Sequence, residues 1–124
     1  MAYIRYGNIN KMFKGHQQVL ESIGKKYEEH SRLKQMTAQN EWDMGELENN
    51  FKLAVISSLD SDGKPLHKNE QSRKVAVETL LRGDPEYNRL RVLNDDTNDQ
   101  LVAVDDELSK LKHQLKFYET WGRS

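Results

Sequence analysis

Between residues 85 and 121 one row recurs at alternating steps of three and four, eight of its ten positions apolar or aromatic: Tyr87, Leu90, Asn94, Thr97, Leu101, Val104, Leu108, Leu111, Leu115 and Tyr118. That is the spacing of an α-helix with one narrow apolar seam, and no Gly or Pro interrupts it between Glu86 and Trp121. A seam this narrow needs a partner helix, from the same chain or from a second copy. Its start is marked by three residues with separate roles: Gly83 stops the preceding helix, Asp84 caps the new one, and Pro85 occupies its first position. The pattern predicts a long helix over 85–120.

The first half of the chain predicts another long helix, over about 8–59. Ile9, Phe13, His16, Leu20, Ile23, Tyr27 and His30 make one stripe, widened by Met12 and Val19. Leu33, Thr37, Asn40, Met44, Leu47, Phe51 and Ala54 make a second, supported by Val55, so the step from His30 to Leu33 is a phase slip. Gly15, Gly24 and Gly45 each cost about 1 kcal/mol inside a helix, which makes Gly45 the expected point of bending. Residues 2–10 alternate weakly and fit either a short extended arm or a frayed start to the helix.

The segment Asp60-Ser61-Asp62-Gly63-Lys64-Pro65 is the main corner, with Gly63 supplying a left-handed residue and Pro65 barring a continuous helix. The corner spans 60–68. Asn69 then caps a short helix over 69–82, with Glu70 in its first turn and Val75, Ala76, Val77, Leu80 and Leu81 on its buried side. The expected architecture is a single all-α domain, a long antiparallel helical hairpin or coiled coil with a short helix near the corner. With the corner at Gly63, the polar seam positions Thr37 and Asn40 are expected at different heights from Asn94 and Thr97, and so unpaired with them.

Composition sharpens this picture. The chain has 124 residues, 31% charged and 35% hydrophobic, as suits long, solvent-laced helices around a modest core. So thin a hairpin is expected to bury its remaining apolar surface against a second copy as a homodimer or higher oligomer, with Leu101, Val104, Leu108, Leu111, Leu115 and Tyr118 as the oligomer seam. A net charge of −1 gives no global field towards nucleic acid or an anionic membrane. The absence of cysteine removes disulfides, thiolate catalysis and cysteine-based zinc sites. Met1-Ala2-Tyr3-Ile4-Arg5 carries no apolar stretch of signal-peptide length, and no run approaches a membrane span. A soluble cytoplasmic protein without membrane contacts is expected.

Candidate chemistry is sparse. The acidic run Asn94-Asp95-Asp96-Thr97-Asn98-Asp99 lacks the central Gly and the closing bidentate Glu of a calcium loop. It fits a solvated helix face or, through Asp95, Asp96 and Asp99, a negative patch for a basic protein surface. Lys64, Lys68, Arg73 and Lys74 gather near the corner as a candidate phosphate-binding patch, diluted by Glu70 and Glu78 and lacking aromatic residues to stack on bases. His16, His30, His67 and His113 show no metal-ligand spacing. Nothing brings together a nucleophile, a base and an oxyanion donor, so neither enzyme activity nor a cofactor or metal is expected. At the C-terminal end, Phe117, Tyr118 and Trp121 fit either packing near Tyr6, Ile9 and Phe13 or, through Trp121, an aromatic anchor for a partner protein.

The stretch from Asp62-Gly63-Lys64-Pro65 through Arg73-Lys74, with Gly83-Asp84-Pro85-Glu86-Tyr87-Asn88-Arg89-Leu90 and the coiled-coil tail, resembles small helical proteins encoded by bacteriophages and prophages. The resemblance covers about the C-terminal half and carries over no catalytic or binding residue. It implies a non-enzymatic phage accessory factor in the cytoplasm of a bacterial host, scaffolding or modulating DNA replication or recombination machinery. The alternative it leaves open is a phage inhibitor of a host defence protein or nuclease, acting through an acidic or aromatic surface.

Overall fold

In the computed structural model the backbone is described for residues 2–123 and the side chains for residues 11–121. Three α-helices follow in order: α1 (Ala2–Ser57), α2 (Glu70–Gly83) and α3 (Pro85–Arg123). The long helices α1 and α3 pack as an antiparallel hairpin, and the fold class is all-α. The helix α1 begins at Ala2, so residues 2–10 extend the helix and form no separate arm, and it passes through Gly15, Gly24 and Gly45 without interruption. The side chains of Tyr6 and Ile9 lie outside the described residues.

Helix α1 ends where the chain bonds back on itself. Ser58 donates its hydroxyl to the Ala54 carbonyl at 2.8 Å. The Asp60 carboxylate accepts from the backbone N–H of Asp62 at 2.9 Å and of Lys64 at 3.0 Å. Gly63 takes the left-handed conformation at φ 76°, as an Asp-Gly turn requires. Leu59 then pairs with Pro65 in an isolated antiparallel bridge, flanked by the Leu66 N–H bonded to the Ser58 carbonyl at 2.9 Å.

Side-chain caps start the other two helices. Asn69 accepts from the Ser72 N–H at 2.7 Å, satisfying one of the orphan donors at the start of α2. Asp84 does the same for Tyr87 at 2.8 Å at the start of α3. Gly83 is the last residue of α2 and is not left-handed; the helix stops because Asp84 turns extended (φ −85°, ψ 117°) ahead of Pro85.

The chain divides into two compact units. The first, Met1–Lys34 with Asp99–Ser124, is a two-helix unit of α1 against α3. His16 meets Tyr118 with ring centroids 6.1 Å apart, and the 3–4 repeat then stacks Val19, Ile23, Lys26, His30 and Leu33 against Leu115, Leu111, Leu108, Val104 and Leu101. Leu33 is 0% exposed. The second unit, Gln35–Asn98, adds α2, which lays Val77 and Leu81 beside Lys52, Val55 and Ile56 of α1. Of the expected buried side of α2, Val77 is buried and Ala76 and Leu81 are half-buried, while Val75 and Leu80 are exposed. One helix face cannot hold five positions spread around most of a turn.

The buried row of α1 is Met12, His16, Val19, Ile23, Lys26, His30, Leu33, Thr37, Asn40, Met44, Leu47 and Phe51, each buried or half-buried. The steps of three and four are unbroken, so there is no phase slip at His30. Within the second unit, Tyr87 donates its hydroxyl to Glu48 at 3.2 Å. From that layer the repeat steps back through Met44 to Asn40 and Thr37, and forward through Leu90 to Asn94 and Thr97. Asn40 therefore shares a layer with Asn94, and Thr37 with Thr97. The expectation that these layers lie apart fails because the turn at Gly63 is not the midpoint of the hairpin; the fold-back includes α2 as well.

Candidate interaction surfaces

The row offered in the sequence as an oligomer seam is filled within the chain. Val104 and Leu108 are buried, and Leu101, Leu111, Leu115 and Tyr118 half-buried, in a single copy. The fit at the Tyr118 end depends on a missing side chain: a Cβ at Gly15 would sit 2.9 Å from the Tyr118 ring carbon Cζ and closer still to its hydroxyl. Two polar members of the α1 row are bonded to acids flanking the α3 row. The Lys26 ammonium pairs with Glu107 and, at 3.2 Å, with Glu29. Hydrogen bonding to Glu107 first and Glu29 second holds the Lys26 pKa above its ordinary value. His30 Nε2 stands 3.1 Å from Asp105.

Surfaces available to a partner are therefore the exposed ones. On α1 of the first unit, Phe13, Leu20 and Tyr27 stand one heptad apart at 62%, 46% and 47% exposure. These residues belong to the stripe read in the sequence as the inward face, and they stand beside the buried row. Lys112 places its ammonium 5.3 Å from the Tyr27 ring centroid. At the end of α3, Phe117 and Trp121 are exposed, with ring centroids 6.2 Å apart and planes tilted at 50°, while Tyr118 turns inward to Gly15 and His16. Of the residues expected beneath this cluster, Phe13 is itself exposed, and the side chains of Tyr6 and Ile9 lie outside the described residues.

In the second unit a groove of about 640 Å³ runs between α1 and α2, floored by Val55, Val77 and Leu81. Its rim alternates in sign: Glu48, Glu70 and Glu78 stand among Lys52, Arg73 and Lys74. Arg73 and Lys74 from the candidate phosphate patch thus sit among acids, and Lys64 and Lys68 are exposed on the loop outside the groove. A polyanion meeting that rim would face carboxylates as often as cations. Asp95, Asp96 and Asp99 are exposed on α3. Trp42, the most exposed large apolar residue described at 66%, was not singled out by the sequence pattern. It and Leu53 point away from the buried row at a spacing of three helical turns, which an isolated Trp in a charged stretch does not announce.

The other two histidines are engaged locally: His67 Nδ1 lies 3.1 Å from the Ser72 hydroxyl, and His113 Nδ1 donates to the Ser109 carbonyl at 2.8 Å. Among the described residues no group of three or more acidic or histidine side chains is placed to hold a metal ion. No helix among them is long and apolar enough to cross a membrane. Comparison of the chain with protein-family models, with curated proteins and with solved structures finds no match.

Proposed function

We propose that this protein is a non-enzymatic helical interaction protein whose long helices pair with a further protein surface, a second copy of itself included. The observation that carries this reading is the heptad-spaced row Phe13, Leu20 and Tyr27, exposed on a helix whose other row is already filled by α3. Large apolar side chains repeated at helical spacing in water favour burial against a partner helix. The finer reading, a bacteriophage accessory factor acting on replication or recombination machinery in the bacterial cytoplasm, rests on the resemblance of 62–74 and 83–90 to phage-encoded proteins.

A second reading is favoured by the adjacent, exposed Phe117 and Trp121 and the exposed acids Asp95 and Asp99: an inhibitor that seats these groups on a host protein. Affinity capture from a bacterial lysate with nuclease present separates the readings. A single nuclease-resistant partner whose capture is lost in Trp121→Ala or Asp95→Asn/Asp99→Asn supports the inhibitor. Capture of replication proteins that survives those changes supports the accessory role. Binding only to nucleic acid, falling steeply with salt and lost in Arg73→Glu/Lys74→Glu, would overturn both.

A further inference from the structure

We infer that the exposed face of α1 over residues 13–31 is a second, self-complementary seam that takes α1 of a second copy in antiparallel orientation. This rests on the interaction-protein reading and names its partner and surface. Beside Phe13, Leu20 and Tyr27 stand Gln17, Gly24 and Ser31, all exposed, and together the six follow unbroken steps of four and three. In a chain that is 31% charged, none of these positions carries a charge. The spacing is that of a coiled-coil seam, one residue out of step with the row that α3 already fills.

The order of sizes selects the partner. A two-fold axis level with Ser22 sets Phe13 of one copy against Ser31 of the other, Leu20 against Gly24, and Tyr27 against Gln17. Each large side chain then meets a smaller one, the match that knobs and holes require. Gly24 has open space around its Cβ position, so a Leu from outside can enter there without displacing anything in the chain. A parallel copy would instead stack Phe on Phe and Gly on Gly, leaving gaps at every small residue.

Charge agrees with the same arrangement. Along the outer border of the seam stand Lys14, Glu21, Lys25 and Glu28, all exposed. The two-fold brings Lys14 within one turn of the other copy's Glu28, and Glu21 within one turn of its Lys25. Opposite signs thus meet at both ends of the border, while at its centre the two Glu21 residues face each other, each within a turn of the other copy's Lys25. None of the four makes an ion pair among the described residues, so nothing must be broken to form these.

Sedimentation equilibrium of the intact chain, from micromolar to several hundred micromolar, tests this. The wild type is expected to dimerise reversibly. Leu20→Glu should weaken the dimer at least a hundredfold, and Gly24→Gln at least tenfold. The Gln replaces a helix-breaking residue by a helix-favouring one, so the monomer should keep or raise its helicity by circular dichroism. Lys14→Glu should weaken the dimer severalfold, and Lys14→Glu/Glu28→Lys should restore it. A dimer untouched by Leu20→Glu and Gly24→Gln overturns this face while leaving self-association standing. A wild type that stays monomeric throughout overturns both.

Discussion

The layer of Asn40 and Asn94 offers the sharpest test of how the hairpin is held. Asn40 Nδ2 and Asn94 Oδ1 are buried and have no hydrogen-bond partner. Leaving a buried polar group unpaired costs roughly 1–3 kcal/mol, so the layer costs the fold about 2–6 kcal/mol. Leu has the same branching of heavy atoms as Asn, so Asn→Leu fills the site with little change of shape. Asn40→Leu and Asn94→Leu should each raise stability, and the double variant should gain about 2–4 kcal/mol, allowing for imperfect repacking. For a chain of this size that is a rise of roughly 10 °C in Tm. The assay is urea and thermal unfolding by circular dichroism at several protein concentrations, arranged as a double-mutant cycle. Additive gains fit two orphaned amides. If each single variant loses stability and the double regains it, the two amides bond to each other in solution and the reasoning fails.

The remaining predictions bear on other parts of the fold. Leu33→Ala should cost about 3–5 kcal/mol, since the side chain is fully buried; a loss below 1 kcal/mol in the same unfolding assay would place it outside the core. Asp84→Ala removes the cap bond to Tyr87 and should cost about 1 kcal/mol, whereas Asp84→Asn should retain most of it. Burial first, and the hydrogen bond to Glu48 second, push the Tyr87 phenol above its ordinary 10.0. A raised folded value means a stabilising contribution present below pH 10 and lost as pH rises through the folded value. Tyr87→Phe should therefore unfold with a flatter pH dependence above pH 10 than the wild type. Parallel pH profiles for the two would contradict this.

The seam of α3 was legible because its inward row is apolar nearly throughout, while the apolar residues outside it, Val92, Val102, Phe117 and Trp121, are too scattered to form a competing row. The inward row of α1 was legible from Leu33 to Phe51 but not before it, for the opposite reason. Its members include His16, Lys26 and His30, while the row beside it holds Phe13, Leu20 and Tyr27. Ranking positions by hydrophobicity therefore mixes Phe13, Leu20 and Tyr27 of the exposed row with His16, Ile23 and His30 of the buried one, and the return to the buried row alone at Leu33 reads as a phase slip the helix does not have. What decides the face of α1 is a set of partners distant in sequence, the acids Asp105 and Glu107 and the ring of Tyr118. The polar layers were misplaced because α2 adds length to the fold-back, an effect that no local spacing records. The caps at Asn69 and Asp84 and the left-handed Gly63 were legible because each rests on residues within three positions of itself.

Those distant partners also explain why α1 does not rotate. Turning α1 by one residue would bring Phe13, Leu20 and Tyr27 towards α3 in exchange for Met12, Val19 and Ile23. It is opposed by terms specific to the observed face. Lys26 and His30 would lose Glu107 and Asp105, and Lys26 is held by a second acid as well. Gly15, the one inward position with room for the Tyr118 ring, would turn away and leave the ring against a bulkier residue. Leu33, fully buried as it stands, would move towards water. Electrostatic and steric matching therefore help select one face of α1 for α3, and the row of Phe13, Leu20 and Tyr27 is left outward. An apolar row held outward by such specific terms is available to a partner without any rearrangement of the hairpin.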